Sequence, residues 1–188
     1  MPRPRTFDPD DALDAAMHVF WRKGYAETSY DDLVSGTGVS RKGLYTAFGD
    51  KRALFMRSLQ RYRATVAKAY LAQLSKPDAT REDLVAVFRS MIAFGTTEAG
   101  RLGCFMANTS VDEVSEDRQV RKAVQAHFDR MAACFGRALL NSGYSSEEAT
   151  VFADYLTGVF QGMAVLARSG ASERRMKNMV ETAIKPFE

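Results

Sequence analysis

Apolar residues recur at helical spacing along almost the whole chain, whereas strand patterns are nearly absent. In the first segment Leu13, Met17 and Phe20 fall on one helix face, Asp8 fits the N-cap, and Gly24 follows the last turn. The pattern therefore predicts an all-α chain. The other expected helices are a short second one capped by Thr28 or Ser29, a third capped by Ser40, a long fourth from about 51 to 74, and further ones at about 81–95, 104–111, 117–140, 146–168 and 172–185.

The bulk composition is typical of a globular protein with a hydrophobic core. The 188 residues are 46% hydrophobic and 26% charged. They contain no run of about 18 apolar residues, so no membrane span is expected. The N-terminus, MPRPRTFDPDD, lacks the apolar segment of a secretory signal, and two cysteines do not make a disulfide framework. These features predict a cytoplasmic protein without membrane association.

Basic charge is concentrated in the N-terminal third. Residues 1–63 contain 11 Lys and Arg against 8 Asp and Glu, whereas residues 64–188 contain 15 of each. Such clustering is expected of a surface that binds phosphate, although charge alone leaves open an ordinary solvated helix surface. Between residues 40 and 63 the one acidic residue is Asp50, and the basic residues are Arg41, Lys42, Lys51, Arg52, Arg57, Arg61 and Arg63.

The second and third predicted helices, at about residues 29 to 48, have the arrangement of a helix-turn-helix. Gly38 permits a sharp turn, Ser40 caps the helix that follows, and Leu44, Tyr45 and Phe48 are expected on its inner side. The N-terminal side chains of such a second helix reach base edges in the major groove of double-stranded DNA. The residues left facing outward are Arg41, Lys42, Gly43, Thr46 and Ala47.

The stretch from Ala16 to Phe55, AMHVFWRKGYAETSYDDLVSGTGVSRKGLYTAFGDKRALF, resembles the DNA-binding domain of the tetracycline-repressor (TetR) family. The resemblance implies an N-terminal three-helix DNA-binding domain, residues 1–50. A long fourth helix would link it to a C-terminal helical bundle, residues 51–188, for ligand binding and dimerisation. The matching positions are Phe20, Gly24, Tyr25, Thr28, Leu33, Gly38, Val39, Ser40, Leu44, Tyr45, Phe48 and Lys51.

The resemblance also implies roles for individual residues on near-palindromic operator DNA. Arg41 opens the recognition helix, and arginine is well suited to guanine. Tyr45 and Lys51 are expected to bind phosphate, although Tyr45 is alternatively a packing residue. Gly43 departs from the family, because many members have a small hydroxyl residue there, and a backbone contact would have to replace it. The full expected set is Thr28, Ser29, Tyr30, Ser40, Arg41, Lys42, Gly43, Tyr45, Thr46 and Lys51.

The segment 146–168 carries apolar residues around well over half of its circumference. One side can face the core of its own subunit, and the other requires a partner, which predicts a homodimer. Gly158 and Gly162 would allow two such helices to approach closely, and the resemblance also places the dimer contact in the last two helices. The alternative is burial within one subunit. The expected interface residues are Val151, Gly158, Val159, Gly162, Val165, Met176 and Met179.

Large apolar and aromatic residues with a few polar ones are candidates for an effector pocket. The same stripes at helical spacing also form ordinary cores, and the sequence leaves both interpretations open. His127 in particular is as consistent with a core histidine as with a ligand contact. The candidate pocket residues are Phe88, Met91, Ile92, Phe105, Met106, Asn108, His127, Phe128, Met131, Phe135 and Tyr155.

Cys104 lies in the sequence GCFMANT, which resembles a Gly-Cys element of one TetR subgroup. Near a helix start and Arg101 its pKa would be lowered, making it a possible redox sensor; the alternative is a small core residue. With no metal cluster, phosphate loop or nucleophile elbow, no enzyme, metal site or cofactor is expected. The sequence predicts a repressor released from its operator by an unknown small-molecule effector, and a DNA-binding protein without a ligand stays the alternative.

Overall fold

The computed structural model describes residues 7–187. Residues 1–6, part of the stretch that lacks a signal-peptide pattern, and residue 188 lie outside it. The described part contains helices and no strand, so the predicted all-α class is confirmed. Its helices are α1 (Pro9–Lys23), α2 (Tyr30–Thr37), α3 (Arg41–Phe48), α4 (Lys51–Tyr62), α5 (Lys68–Tyr70), α6 (Arg81–Phe94), α7 (Phe105–Ser110), α8 (Arg118–Asn141), α9 (Ser146–Arg168) and α10 (Glu173–Ile184).

Polar caps fix the starts of the first four helices, as the sequence predicts. Asp8, Ser40 and Asp50 each accept a backbone N–H from the first turn of the helix that follows. Ser29 caps α2 through a reciprocal capping box, so of the two candidate caps it is Ser29 and not Thr28 that begins this helix.

The long fourth helix is interrupted, which the sequence did not predict. After α4 the backbone becomes π-helical over Arg63–Ala67, returns to α5, and turns away from Leu71 onward. Within the π segment, Thr65 Oγ1 donates to the carbonyl of Arg61 at 2.8 Å. Such a side-chain bond competes with the helical hydrogen-bond ladder, and here it accompanies the altered turn.

Within residues 7–187, buried apolar residues form two cores. One lies in the C-terminal bundle among α6, α8, α9 and α10, with Phe88, Phe135 and Phe160 at its centre. The other joins α1–α4 to α7 and the first half of α8, so it crosses the predicted domain boundary after residue 50. The division into residues 1–50 and 51–188 stays a prediction, because α4 follows this boundary but packs into the same core as α1–α3.

Polar contacts reinforce the junction between the two parts. Trp21 Nε1 of α1 donates to the carbonyl of Gly103 at 3.2 Å, and the backbone N–H of Tyr25 donates to Asp112 Oδ2 at 2.8 Å. Arg168, at the end of α9, donates to the carbonyl of Trp21 at 3.5 Å. The loops around α7 and the end of α9 therefore tie α1 and the loop after it to the bundle.

Helix α9 is long and apolar enough to cross a membrane by length and composition alone. Because the chain contains no run of about 18 consecutive apolar residues, the sequence did not predict this. Core helices of globular proteins meet the same criterion. One side of α9 packs along α8, with Ala153, Leu156 and Phe160 buried, and its C-terminal half also contacts α10. We therefore assign α9 to the bundle.

Candidate DNA-binding surface and ligand region

The helix-turn-helix is built by α2, a tight turn and α3. Gly38 has φ +68°, a left-handed conformation that residues with a Cβ rarely adopt, and this lets the chain reverse within three residues. Val39, Leu44 and Phe48 are buried against the other helices. Helix α3 is thus anchored along one face, and its opposite face is left to solvent.

The exposed face of α3 carries Arg41, Lys42, Tyr45 and Thr46. Tyr45 is 63% exposed, so its expected position on the inner side is wrong, and the alternative of a packing residue loses its support. An exposed phenol on this face is free to donate a hydrogen bond to a phosphate oxygen.

Two cation–aromatic pairs orient basic side chains at the edge of this face. The Arg41 guanidinium lies 4.2 Å from the ring centroid of Tyr30, and Lys51 Nζ lies 4.4 Å from that of Tyr25. Such pairs contribute about 0.5–1 kcal/mol at exposed sites, so they hold the cations in place without preventing a move to phosphate or a base. Tyr30 therefore has a positioning role that the sequence did not reveal.

Two of the expected phosphate contacts at the start of α2 are engaged within the protein. Thr28 is buried, and its hydroxyl donates to the carbonyl of Gly24 at 2.5 Å, so the structure does not place it on the DNA-binding face. Ser29 is exposed, but its hydroxyl donates to Asp32 Oδ2 at 2.8 Å as part of the capping box. Ser40 caps α3 and accepts the Gly43 N–H at 3.2 Å.

Gly43 lies close to the side chains of Val39 and Ser40. A Cβ at this position would lie 2.8 Å from a methyl group of Val39 and 3.3 Å from Ser40 Oγ, so the Val39 side chain would have to shift to admit one. Its N–H is bonded to Ser40, so the backbone contact expected in place of the family's hydroxyl is not available in this conformation. The close contact with Val39 is consistent with a glycine at this position.

Not all of the clustered basic residues belong to the DNA-binding face. Arg52 makes a two-pronged ion pair with Asp117 at 2.6 and 3.0 Å, and Arg61 makes another with Asp14, both contacts at 2.6 Å. Hydrogen bonds from these guanidinium groups hold the pKa values of Asp117 and Asp14 below their usual range. Arg52 and Arg61 therefore join elements to one another.

Family models match both parts of the chain. The model described as bacterial regulatory proteins, tetR family, matches residues 12–57, and the model described as transcriptional regulator LmrA/YxaF-like, C-terminal domain, matches residues 80–182. The chain belongs to the TetR family. It is a DNA-binding transcriptional regulator, and the resemblance seen in the sequence is confirmed.

Individual TetR-family relatives match over most of the chain. The HTH-type transcriptional repressor ComR of Escherichia coli is 31% identical over 97% of this chain and 90% of its own length. The HTH-type transcriptional activator FasR of Mycolicibacterium smegmatis is 26% identical over 83% of this chain and 70% of its own. A cysteine mutant of the regulator CifR, solved with a 26-base-pair operator DNA, superposes with a TM-score of 0.87 at 27% identity, covering 99% of this chain and 100% of that one. These relatives are regulators and not enzymes.

Most of the expected pocket residues of this TetR-family chain form solid core. Seven are buried, and Met91 borders a small pocket of only about 20 Å³, room for about one water molecule. Asn108 Nδ2 donates to the carbonyl of Leu102 at 3.0 Å. Tyr155 is 48% exposed on α9 and lies outside the interior altogether. The seven buried residues are Phe88, Met91, Phe105, Met106, His127, Met131 and Phe135.

A groove of about 410 Å³, which we call the α4–α8 groove, opens between the π segment and α8. Of the expected pocket residues only His127 lines it, at the buried end. Sequence reasoning missed its basic members, because long cationic side chains at helical spacing look like an ordinary solvated surface. The lining residues are Gln60, Arg63, Ala64, Ala67, Lys68, Leu71, Ser75, His127, Arg130 and Cys134.

Cys104 does not have the environment of a reactive thiolate. It is buried, and burial raises the pKa of its thiol, so the expected lowering by Arg101 and the helix start is wrong. Its Sγ lies 4.0 Å from Nε2 of His127. The alternative of a small core residue is favoured. Residues 7–187 contain no group of three or more His, Cys, Asp or Glu placed to hold a metal ion.

Burial, together with the smaller effects of the Arg63 and Arg130 charges, lowers the pKa of His127 to about 4. The unfolded chain, with a histidine pKa near 6.5, binds this proton more readily than the folded one. The free energy of unfolding should therefore fall by about 3 kcal/mol as the pH drops from 6.5 to 4.

Denaturant unfolding between pH 7 and pH 4 measures this slope, and His127→Gln should flatten it. His18→Gln is the matched control, because His18 lies exposed on α1. Carboxylates with lowered pKa values, such as that of Asp14, begin to lose their contribution below about pH 5, so the effect of His127 is the difference in slope between the unmodified protein and His127→Gln. An unchanged slope in His127→Gln would contradict the assignment.

The expected dimer residues divide between two surfaces. Val151 and Val165 are 60% and 59% exposed, and with Tyr155 and Gly158 they form an exposed band on α9 that we call the α9 stripe. Their spacing of four, three and seven residues places them on one face. Tyr155 was assigned to the pocket instead, although the same spacing from Val151 and Gly158 could have placed it here.

Other expected dimer residues serve the subunit itself. Met176 is fully buried, because α10 packs on α6 and the Met176 methyl group sits over Gly95, so its assignment to the interface is wrong. A Cβ on Gly162 would lie 3.0 Å from the methyl group of Met179, so this glycine accommodates α10. Val159 and Met179 are partly buried against the core.

Proposed function

We propose that the protein is a cytoplasmic, homodimeric transcriptional repressor that a small-molecule effector releases from near-palindromic operator DNA. The observation that carries the proposal is the geometry of α3. Its apolar face is anchored by Leu44 and Phe48, and its free face presents Arg41 and Tyr45 to solvent. A recognition helix held in this way enters the major groove.

Within this face we assign base reading to Arg41 and phosphate binding to Tyr30, Tyr45 and Lys51. Arg41 is exposed at the first turn of α3, where side chains reach base edges, and arginine recognises guanine O6 and N7 through two hydrogen bonds. Lys51 is the first residue of α4, so its charge and the helix dipole both attract phosphate. Lys42 and Thr46 complete the face.

The α9 stripe supports a homodimer. It is apolar, exposed and continuous over the four turns between Val151 and Val165, and Leu140 of α8 adds an exposed leucine nearby in the bundle. Two copies related by a twofold axis would bury these stripes against each other and present two copies of α3 to half-sites about 34 Å apart.

The sign of regulation rests on the relatives. ComR is a repressor and FasR an activator, and ComR matches more of this chain at higher identity. We therefore infer repression. A reporter placed behind the promoter region upstream of the protein's own gene and its neighbours should be silenced by the protein, and activation would overturn this part of the proposal.

The test of DNA binding is a band shift with the same promoter fragments, followed by footprinting. A protected, near-palindromic site with loss of the shift on adding cell metabolites supports the proposal. A shift that no small molecule affects would identify a DNA-binding protein without a sensor. Absence of any specific shift would contradict the proposal.

Substitutions on α3 and α4 should separate base reading from phosphate binding. Arg41→Ala should relax base preference by about 1–3 kcal/mol at one position in each half-site. Lys51→Ala and Tyr45→Phe should weaken binding to operator and random DNA alike, and Lys51→Ala should reduce the slope of log affinity against log salt by about 1. Competition binding with operator variants measures both effects.

Lys76→Ala is the control, because Lys76 is an exposed cation in the turn before α6, away from α3. It should bind operator as the unmodified protein does. If Arg41→Ala weakens binding to every sequence equally, its assignment to base reading is wrong.

A further inference from the structure

The α4–α8 groove has the charge and shape of a site for an anion. Three cationic side chains, Arg63, Lys68 and Arg130, line it, and no Asp or Glu does. None of these three takes part in the ion pairs found among residues 7–187. Arg52 and Arg61, by contrast, have carboxylate partners.

The positive charges of Arg63 and Arg130 lie close enough together to repel each other. Partial burial and the charge of Arg130 lower the pKa of Arg63. Like charges gathered in one concave site repel, and a bound anion would relieve that repulsion while gaining charge-assisted hydrogen bonds. The widened turn of the π segment brings Arg63, Ala64 and Ala67 to the same wall.

The rest of the groove limits what the anion can be. Ala64, Ala67 and Leu71 give it an apolar wall, and Gln60 and Ser75 add neutral polar groups. Its volume of about 410 Å³ is within the usual range of small-molecule sites. A single inorganic ion would leave most of that space to water, whereas an anionic head on a short aliphatic body would fill it.

We propose that the α4–α8 groove binds the effector, and that this effector is a small carboxylate or phosphate monoester with a short aliphatic body. The proposal rests on the proposed function, because it names the ligand class that would release the repressor. Arg63 and Arg130 hold the anionic group, Lys68 adds charge at the rim, and the alanines and Leu71 contact the aliphatic part.

The groove is connected to the DNA-binding helices by direct contacts. His127, at its buried end, lies against Cys104, which follows Gly103 in the chain, and the carbonyl of Gly103 accepts the indole N–H of Trp21 in α1. Arg63 directly follows α4 in the chain, and α4 packs on α1 and α3. An anion that draws Arg63 toward Arg130 would shift the end of α4 relative to α8, and the position of α3 with it.

The experiment uses hexanoate and hexyl phosphate as anionic probes, with hexanol and hexylammonium as matched controls of the same chain length. Titration calorimetry on the full chain without DNA should show binding of both anions and at least tenfold weaker binding of the controls. In proton NMR the His127 imidazole should respond to the anions, and it is easily identified because the chain has only 2 histidines.

The double variant Arg63→Gln/Arg130→Gln should lose at least tenfold in affinity for the anions, whereas Lys177→Gln, an exposed cation on α10, should not. If the double variant does not fold, Arg130→Gln alone replaces it in the test, because Arg130 is exposed and its substitution should not disturb the fold. Equal binding of hexanol and hexyl phosphate, anion affinity unchanged in the variants, or no anion binding at millimolar concentration would overturn the proposal.

Operator binding is measured separately, so that failure of the effector proposal can be told apart from failure of the proposed function. If the chain binds operator but the anions do not bind the groove, only the effector class is wrong. If the arginine variants lose operator affinity while no probe binds, these cations serve DNA and the ligand proposal fails. If no operator is bound at all, the proposed function fails whatever the calorimetry shows.

Discussion

Replacing Gly158 with arginine is expected to convert the dimer to monomers and to weaken operator binding about a hundredfold or more. A Cβ on Gly158 would meet no atom within 4 Å in its own subunit, so the side chain has room in the isolated monomer. Glycine is also about 1 kcal/mol worse than most residues inside a helix, so the subunit should not be destabilised. In the dimer the same side chain would place a charge at the centre of the α9 stripe.

The expected loss of affinity follows from bivalency. Two linked recognition helices bind their half-sites with an advantage of about 10²–10⁴ over one, and a monomer loses it. Sedimentation gives the oligomeric state, circular dichroism the fold, and a band shift the affinity. Ala69→Arg on α5 introduces the same exposed charge away from the stripe and should leave all three unchanged. A Gly158→Arg protein that stays dimeric would show that the stripe is not the interface.

Gly162→Arg would be a poorer test, for a reason that only the structure supplies. The sequence shows two glycines four residues apart and cannot tell which of them faces outward. Gly162 lies under Met179, so a large residue there would disturb α10 before it reached any partner. Gly158 faces open space, and its effect can be assigned to the interface.

The helices and the helix-turn-helix were predictable because their signals are local. Asp8, Ser29, Ser40 and Asp50 cap within four residues, and Gly38 needs only its own left-handed backbone to form the turn. The π segment was not predictable in the same way. The bond from Thr65 to the Arg61 carbonyl that accompanies it is one of several options open to a threonine in a helix.

The ligand region was hard to predict because core and pocket side chains have the same periodicity. Phe88 and Phe135 lie on the faces expected of them, but they pack against each other with ring centroids 5.6 Å apart rather than around a cavity. Conversely, Arg63 and Arg130 are far apart in sequence, and only the packing of the π segment beside α8 makes them one site. Such proximity is a long-range property that no local pattern contains.

The junction between the DNA-binding helices and the bundle depends on an aromatic cluster that crosses it. Phe105 of α7 is fully buried, with its ring centroid 5.7 Å from those of Phe55 and Tyr62 of α4 and 6.4 Å from that of Trp21 of α1. Because one ring contacts both parts, removing it should weaken the fold and the connection between them together.

Phe105→Ala is therefore expected to lower the free energy of unfolding by about 3–5 kcal/mol, because it removes a large buried side chain and leaves a cavity among three rings. For a chain of this size the corresponding fall in melting temperature is roughly 10 °C. Phe94→Ala is the matched control: Phe94 ends α6 and is 37% exposed, so its loss should cost about 1–2 kcal/mol. Denaturant unfolding of both variants measures the two effects. It is followed by far-ultraviolet circular dichroism and by the emission of Trp21, the only tryptophan.

Coincident transitions by the two probes are expected, because the shared core makes the two parts unfold together. A cost for Phe105→Ala no larger than that for Phe94→Ala would show that this cluster does not hold the junction, and the route from the groove to α1 would have to run through α4 alone.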